Sequence, residues 1–354
     1  MADPADQYLA QAIDRFRQGF FADSLAFFDQ AISRDPGSAR AWNGRGAALA
    51  NLGRYPEALA ACEEAVRADP AYVKARSNRG RVLGYLGQNA GALESLDRAI
   101  SLEPAFAEAH FLRGWVLGNL GRHPEACEAC DRAVSLSPDD VEAWNMRGNV
   151  LAACGRYPDA LLSYDRIIAI DPGISRAWFN RGNMLAALGR QEEALASYDR
   201  ALALDPWYFE AHNNRGNSCM ALGRIAEAAD AYFTAVSFRP DYAEAWYNHG
   251  YALSELGRQE DAIVSYDVAL RQRPAYAEAW YNRGVALGAL GRDEEAVASY
   301  DQAIALDPQD AAAWKARGNA LKRLGREAEA QESFEMAEGM DAGTAATGGR
   351  GSGC

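Results

Sequence analysis

One spacing governs this chain. Trp42, Trp144, Trp178, Trp246, Trp280 and Trp314 fall on a single register of 34 residues, and Arg76, His110, His212 and, counting back, Tyr8 share it. Repeats therefore start at residues 5, 39, 73, 107, 141, 175, 209, 243, 277 and 311, ten copies with no insertion. A fixed period of this length overrides any domain count drawn from chain length, because each copy can bury its apolar face only against its neighbours.

Within a copy the constant positions have separate physical meanings. Position 15 is Gly in all ten repeats, from Gly19 to Gly325, which predicts a helix end, since Gly takes a left-handed conformation cheaply. Position 32 is Pro in nine, from Pro36 to Pro308, which predicts the stop of a second helix. Pro56, Pro124 and Pro158 suit that second helix's first turn. Position 8 is Gly in nine copies, with Ala12 in the first, and position 20 is mostly Ala, so two helices can approach closely. Each repeat reads as helix A over positions 1–14 and helix B over about 18–31.

Two positions carry charge in step. Position 7 holds Arg45, Arg79, Arg113, Arg147, Arg181, Arg215, Arg283 and Arg317, with Gln11 and His249 as exceptions. Position 25 holds Asp29, Glu63, Asp97, Asp131, Asp165, Asp199, Asp267, Asp301 and Glu335, with Phe233 as its exception. Pairing each position 7 with position 25 of the preceding repeat matches eight junctions, and the ninth brings His249 to Phe233, both charges absent together. Pairing inside a repeat fits worse, since it sets Arg215 against Phe233 and Asp29 against Gln11. The expectation is a guanidinium reaching back across each seam, strongly destabilising to break if the pair is fully buried. The plainer reading is that each Arg extends to solvent.

Chemistry finds little support. The chain has four His; His110 and His212 take the Trp register as packing residues, and His123 lies in a turn. Cys127 and Cys130 stand one helical turn apart, but no second pair offers the four ligands of a structural zinc, so both read as packing. The strings RGVALGALGR and RGWVLGNLGR lie inside helix A with no strand before them, which excludes a phosphate loop. No catalytic residue, metal or cofactor is expected. The net charge of −13 disfavours nucleic acid and anionic membrane surfaces. No signal peptide or apolar span is evident, and six sparse Cys suit a reducing compartment, so the cytoplasm is expected.

The pattern of an aromatic residue at position 4 with Gly, Ala and Pro behind it, as in AEAWYNRGVALGALGRDEEAVASYDQAIALDP at 277–308, resembles the tetratricopeptide repeat family over residues 5–340. That resemblance implies an all-α fold, a right-handed superhelical α-solenoid of antiparallel helix pairs whose concave face is lined by positions 2, 5, 6, 9, 12 and 13 of helix A. Residues 1–4 would be an extension and 341–354 a flexible Gly-rich tail ending in Cys354.

On the expected groove stripe the middle repeats carry Asn145, Asn149, Asn180, Asn183, Asn213, Asn214, Asn217, Asn248 and Asn282, interleaved with Phe179, Tyr247, Tyr251 and Tyr281. Carboxamides donate to and accept from peptide backbone, and aromatics add flat contact. The expected function is a non-catalytic protein–protein interaction scaffold holding an extended peptide. The carboxylate clamp of chaperone adaptors is matched only by Lys315 and Asn319 in the last repeat, so that specificity is not implied. The alternative is a chaperone-like or accessory factor, a homodimer formed through apolar residues of the first repeat: Leu9, Ala10, Ile13, Phe16, Phe20 and Phe21.

Overall fold

The computed structural model describes residues 3–348, with side chains up to residue 340. The described residues form twenty α-helices, two per repeat, and no strand. In the ninth repeat, for example, helix A is Ala277–Ala289 and helix B is Asp293–Leu306. Contacts divide the chain into two compact halves, Met1–Pro172 and Gly173–Cys354. Within each half, helix A packs on its own helix B and on helix B of the preceding repeat, and successive A helices also touch. Successive B helices have no comparable contact, so the A helices line the tighter side of each half, an α-solenoid arrangement.

The turn between the helices is built by the invariant Gly. All ten have φ between 70° and 83°, the region that side chains disfavour. After Leu52, Gly53 N–H donates to Ala50 O and Arg54 N–H to Leu49 O, closing the end of helix A with both bonds of a Schellman cap. The Gly at position 8 has a different duty. A Cβ on Gly284 would stand 2.6 Å from the Tyr300 ring, and one on Gly250 2.8 Å from Tyr266. The large side chain at position 24 of the same repeat fills the space the glycine leaves. In the first repeat Ala12 sits there, fully buried in the cluster with Phe28.

The shared register of Trp, His and Arg at position 4 has one explanation. Trp144, Trp246, Trp280 and Trp314 donate indole N–H to the carbonyl of the preceding Pro138, Pro240, Pro274 and Pro308 at 2.9–3.1 Å. His110 and His212 do so through Nε2 to Pro104 and Pro206, each at 3.0 Å, and Arg76 through Nε to Pro70 at 2.8 Å. Three side chains that look unrelated share a ring or guanidinium N–H at the same reach. They therefore seal the connection between repeats as donors, where the sequence suggested only packing.

Helix B of the tenth repeat runs Glu327–Gly348, so residues 341–348 are helical where composition predicts a tail. The position that is Pro in the other nine repeats is Ala342, so nothing removes a backbone donor there. Cys354 lies outside the described residues.

Candidate functional site

Arginine–carboxylate pairs join helix A of one repeat to helix B of the one before. Arg45–Asp29, Arg113–Asp97 and Arg215–Asp199 are joined at 2.7 Å, Arg147–Asp131 at 2.6 Å, and Arg79–Glu63 at 3.6 Å. Arg283–Asp267 and Arg317–Asp301 are joined at 2.7 and 2.6 Å. Asp165 belongs to the N-terminal half and Arg181 to the C-terminal half, where Arg181 Nη1 donates to Ser197 Oγ at 2.6 Å. The same second bond recurs, from Arg147 to Ser163, Arg283 to Ser299 and Arg317 to Ser333, each at 2.7 Å. Each of these arginines thus serves its own helix B, and Arg147, Arg283 and Arg317 tie it to the one before. Their guanidinium groups lie over the position-4 Trp, with Arg283 Cζ 5.8 Å from the Trp280 ring centroid.

These pairs are not deeply buried. The arginine side chains are 17–27% exposed and their acids 39–57%. The cost expected for breaking a fully buried pair therefore does not apply, and each pair contributes at most about 1 kcal/mol.

His249 occupies the same place without the charge. Its Nδ1 lies 3.0 Å from Ser265 Oγ, and since Ser265 Oγ itself donates to Asp261 O, His249 Nδ1–H is the donor. The imidazole lies 5.6 Å from the Phe233 ring and 6.0 Å from Trp246. Burial pushes its pKa down to about 4, with Arg258 adding in the same direction, so the ring is neutral at pH 7.

The asparagine stripe is not a row of free amides. Asn183 Oδ1 accepts from Tyr198 OH and from Asn214 Nδ2, both at 2.9 Å. Asn217 Oδ1 accepts from Tyr232 OH at 2.7 Å and Asn248 Nδ2 at 3.4 Å. Asn149 Oδ1 accepts from Tyr164 OH at 2.8 Å in the N-terminal half. In each case the tyrosine at position 24 holds the asparagine at position 9, and within the C-terminal half Asn214 and Asn248, at position 6 of the following repeat, join Asn183 and Asn217. Asn145 and Asn180 are half-buried.

Position 5 departs from the expected groove. Asn213 is fully buried, donating to Asn214 Oδ1 at 3.2 Å and accepting from Asn248 Nδ2 at 3.0 Å. Phe179 packs 4.7 Å from Tyr208, Tyr247 4.9 Å from Tyr276, and Tyr281 5.9 Å from Tyr300. Tyr247 OH accepts from Asn282 Nδ2 at 2.9 Å. Phe179 and Tyr247 thus lie between their own helix B and the last residue of their own repeat, and Tyr281 against its own helix B, so these half-buried rings are wedged in place. Tyr251, at position 9, is 42% exposed.

Cys127 and Cys130 are buried packing residues as expected, and the reading of the first repeat changes. Cys127 pairs spatially with Cys154 of the next repeat, Sγ to Sγ 3.9 Å, and not with Cys130, which packs beneath Gly114. Leu9 is buried in the first repeat's core and Phe16 meets Phe21 at 5.2 Å, so of that apolar set Phe20 alone is among the large hydrophobics left exposed.

Family models described as tetratricopeptide repeats match residues 9–73 and 77–141, and 129–161 and 163–196. A further model, described as TPR repeat, matches 182–218, 216–257, 250–291 and 286–325. No curated protein matches the chain. Among solved structures, MamA is similar at 25% identity with a TM-score of 0.46, over 46% of this chain and 96% of that chain. YrrB, described as a TPR protein with an unusual peptide-binding site, is similar at 26% identity with a TM-score of 0.45, over 52% and 95%. The APC/C hetero-tetramer Cut9–Hcn1 matches at 16% identity with a TM-score of 0.52, over 85% of this chain and 60% of that one, a likeness of fold.

Proposed function

The chain belongs to the tetratricopeptide repeat family, whose repeats serve protein–protein interaction, and from that premise we propose that it holds an extended polypeptide segment along its A helices. What supports this reading is the way the position-9 asparagines are held. Their Oδ1 atoms are committed to tyrosine and asparagine donors, while the Nδ2 groups of Asn149, Asn183 and Asn217 have no acceptor among the described residues. A carboxamide fixed through its oxygen presents its N–H in one direction, which lowers the entropy cost of binding a backbone carbonyl. In the C-terminal half a cavity of about 330 Å³ lies against Asn183, Gln191, Tyr198, Asn214 and Asn217. Ser218 Oγ at the same cavity is buried without a partner among the described residues.

The test uses Asn183→Asp and Asn217→Asp together. Asp keeps the accepting oxygen that Tyr198 and Tyr232 need and removes the outward N–H. Random peptides selected on the full chain should bind the double variant at least about tenfold more weakly, for loss of two neutral hydrogen bonds of roughly 0.5–1.5 kcal/mol each. Equal capture by both proteins overturns the reading.

Self-association through the first repeat has less behind it, because Leu9 is buried within that repeat and Phe20 is the one member of that apolar set among the large hydrophobics left exposed. No helix among the described residues is long and apolar enough to cross a membrane.

A further inference from the structure

The A-helix face of the first three repeats differs in charge from the molecule around it. A cavity of about 720 Å³ opens there, and Ile13, Phe16 and Phe28 give it an apolar floor. Gly44 stands at position 6, where Asn78, Asn214 and Asn248 stand in other repeats. A Cβ at Gly44 would lie 2.2 Å from the Phe28 ring, so glycine is what admits that ring to the floor.

Four cations converge on this cavity: Arg17, Arg40, Lys74 and Arg81. One carboxylate, Glu108, lines it with them. The chain carries 49 acidic residues against 36 basic ones, and the seam and turn arginines mostly pair with them. None of these four cations pairs with an acid among the described residues. Arg81 is also held in place. Its Nη2 donates to Asn78 Oδ1 at 2.8 Å, and Asn78 Nδ2 donates to Asn43 Oδ1 at 2.8 Å. Its Nε is buried with no acceptor, an unmet donor on a charged group in a cavity wall.

We propose that this groove is the binding site for an extended acidic polypeptide segment. Glutamate or aspartate carboxylates of the segment neutralise Arg17, Arg40 and Lys74 at the rim and meet the guanidinium of Arg81 within. An apolar side chain between two acids rests on the half-buried Ile13 and Phe16, with the buried Phe28 ring beneath them. A guanidinium already fixed by an asparagine receives a carboxylate with little further ordering. A nucleic acid fits less well, because a long polyanion meets a chain of net charge −13, whereas a short segment meets only the local cations. The proposal goes beyond the asparagine reading: it concerns different helices and selects by charge, so the two fail separately.

The experiment is fluorescence anisotropy on the full chain with three labelled probes. These are a short peptide alternating glutamate and leucine, its glutamine-for-glutamate counterpart, and an oligothymidylate. The acidic peptide is expected to bind one to one, at least about tenfold more tightly than the glutamine peptide, and to weaken as salt is raised. Arg40→Gln with Lys74→Gln, two exposed residues without ion-pair partners, should weaken it about tenfold with an unchanged melting temperature. Arg81→Met should do so as well, while Arg271→Gln, at an exposed cation in the last turn of Gln259–Gln272, should leave it unaltered. Equal binding of the glutamine peptide, tighter binding of the oligothymidylate, self-association of the chain as the only event seen, or full affinity in the Arg40→Gln, Lys74→Gln protein would overturn the proposal.

Discussion

Two seams flank the eighth repeat. On one side helix B of that repeat (Gln259–Gln272) meets helix A of the ninth (Ala277–Ala289), joined by Arg283 and Asp267 at 2.7 Å. On the other, helix B of the seventh (Ile225–Phe238) meets helix A of the eighth (Ala243–Glu255), where Phe233 faces His249 at 5.6 Å. The serine bond survives in both, Arg283 to Ser299 and His249 to Ser265. At these two seams position 7 keeps the bond to the serine of its own helix B, whereas Arg45, Arg113 and Arg215, with Ala61, Ala129 and Ala231 there, bond the acid of the preceding repeat instead. Reaching back to the previous repeat is a separate duty, which needs a longer side chain and an acid to meet it. Where the acid is lost, a neutral ring against a ring replaces the ion pair.

The largest effect should come from a change that ignores this difference. Gly250→Val and Gly284→Val both drive a side chain into the position-24 tyrosine of their own repeat. Each should cost about 1–3 kcal/mol or more through overpacking. Urea denaturation should give nearly equal losses; a difference above about 1 kcal/mol would mean that the seam type reaches into the repeat's interior.

Acidification should then separate the seams. The folded-state pKa of His249 is depressed to about 4, below an unfolded value near 6.5. The unfolded chain thus binds the proton first, so this contribution is complete above about pH 6.5 and is lost as pH falls towards 4. After allowance for partial exposure, the loss should be about 1–2 kcal/mol. Burial also lowers the pKa of His212, which acts in the same direction, so the measurement is the difference between the native protein and His249→Gln. An identical pH profile for the two would refute the assignment.

A smaller effect distinguishes the forces. A double-mutant cycle on Arg283→Ala and Asp267→Ala should yield a coupling of about 0.5–1 kcal/mol that shrinks in high salt. The cycle on His249→Ala and Phe233→Ala should yield a similar coupling that salt leaves alone. Salt-independent coupling at Arg283 would place its value in packing and not in charge. Smallest of all, Phe233→Asp with His249→Arg should convert the odd seam into the common one. It should change stability by about 0.5 kcal/mol and abolish the His249 part of the pH response.

How much of this is readable beforehand depends on the kind of residue. The ten glycines at position 15 and the nine prolines at position 32 act on their own backbone, so helix ends follow from them without reference to neighbours. The absence of Pro at Ala342 is legible in the same way, although the Gly-rich composition beyond it points to a tail. The seam was legible because two charges vanish together at Phe233 and His249. The groove was less so. Asn213 and Asn214 are adjacent and chemically identical, yet one is fully buried and the other lines a cavity. The shared donor role of Trp, His and Arg at position 4 was also hidden, since their N–H groups look alike only once they reach the same proline carbonyl.

By itself the sequence determined the ten-fold period, the two helices of each repeat, where they end, and which charges could meet across a junction. All of these depend on local backbone preference or on matched spacing. Tertiary structure alone decided depth. Which asparagine is sealed in, how exposed the ion pairs remain, and that Arg17, Arg40, Lys74 and Arg81 meet over one apolar floor depend on what the next repeat sets opposite each side chain. A helical period gives the direction a side chain leaves the axis, and only packing sets what it finds there.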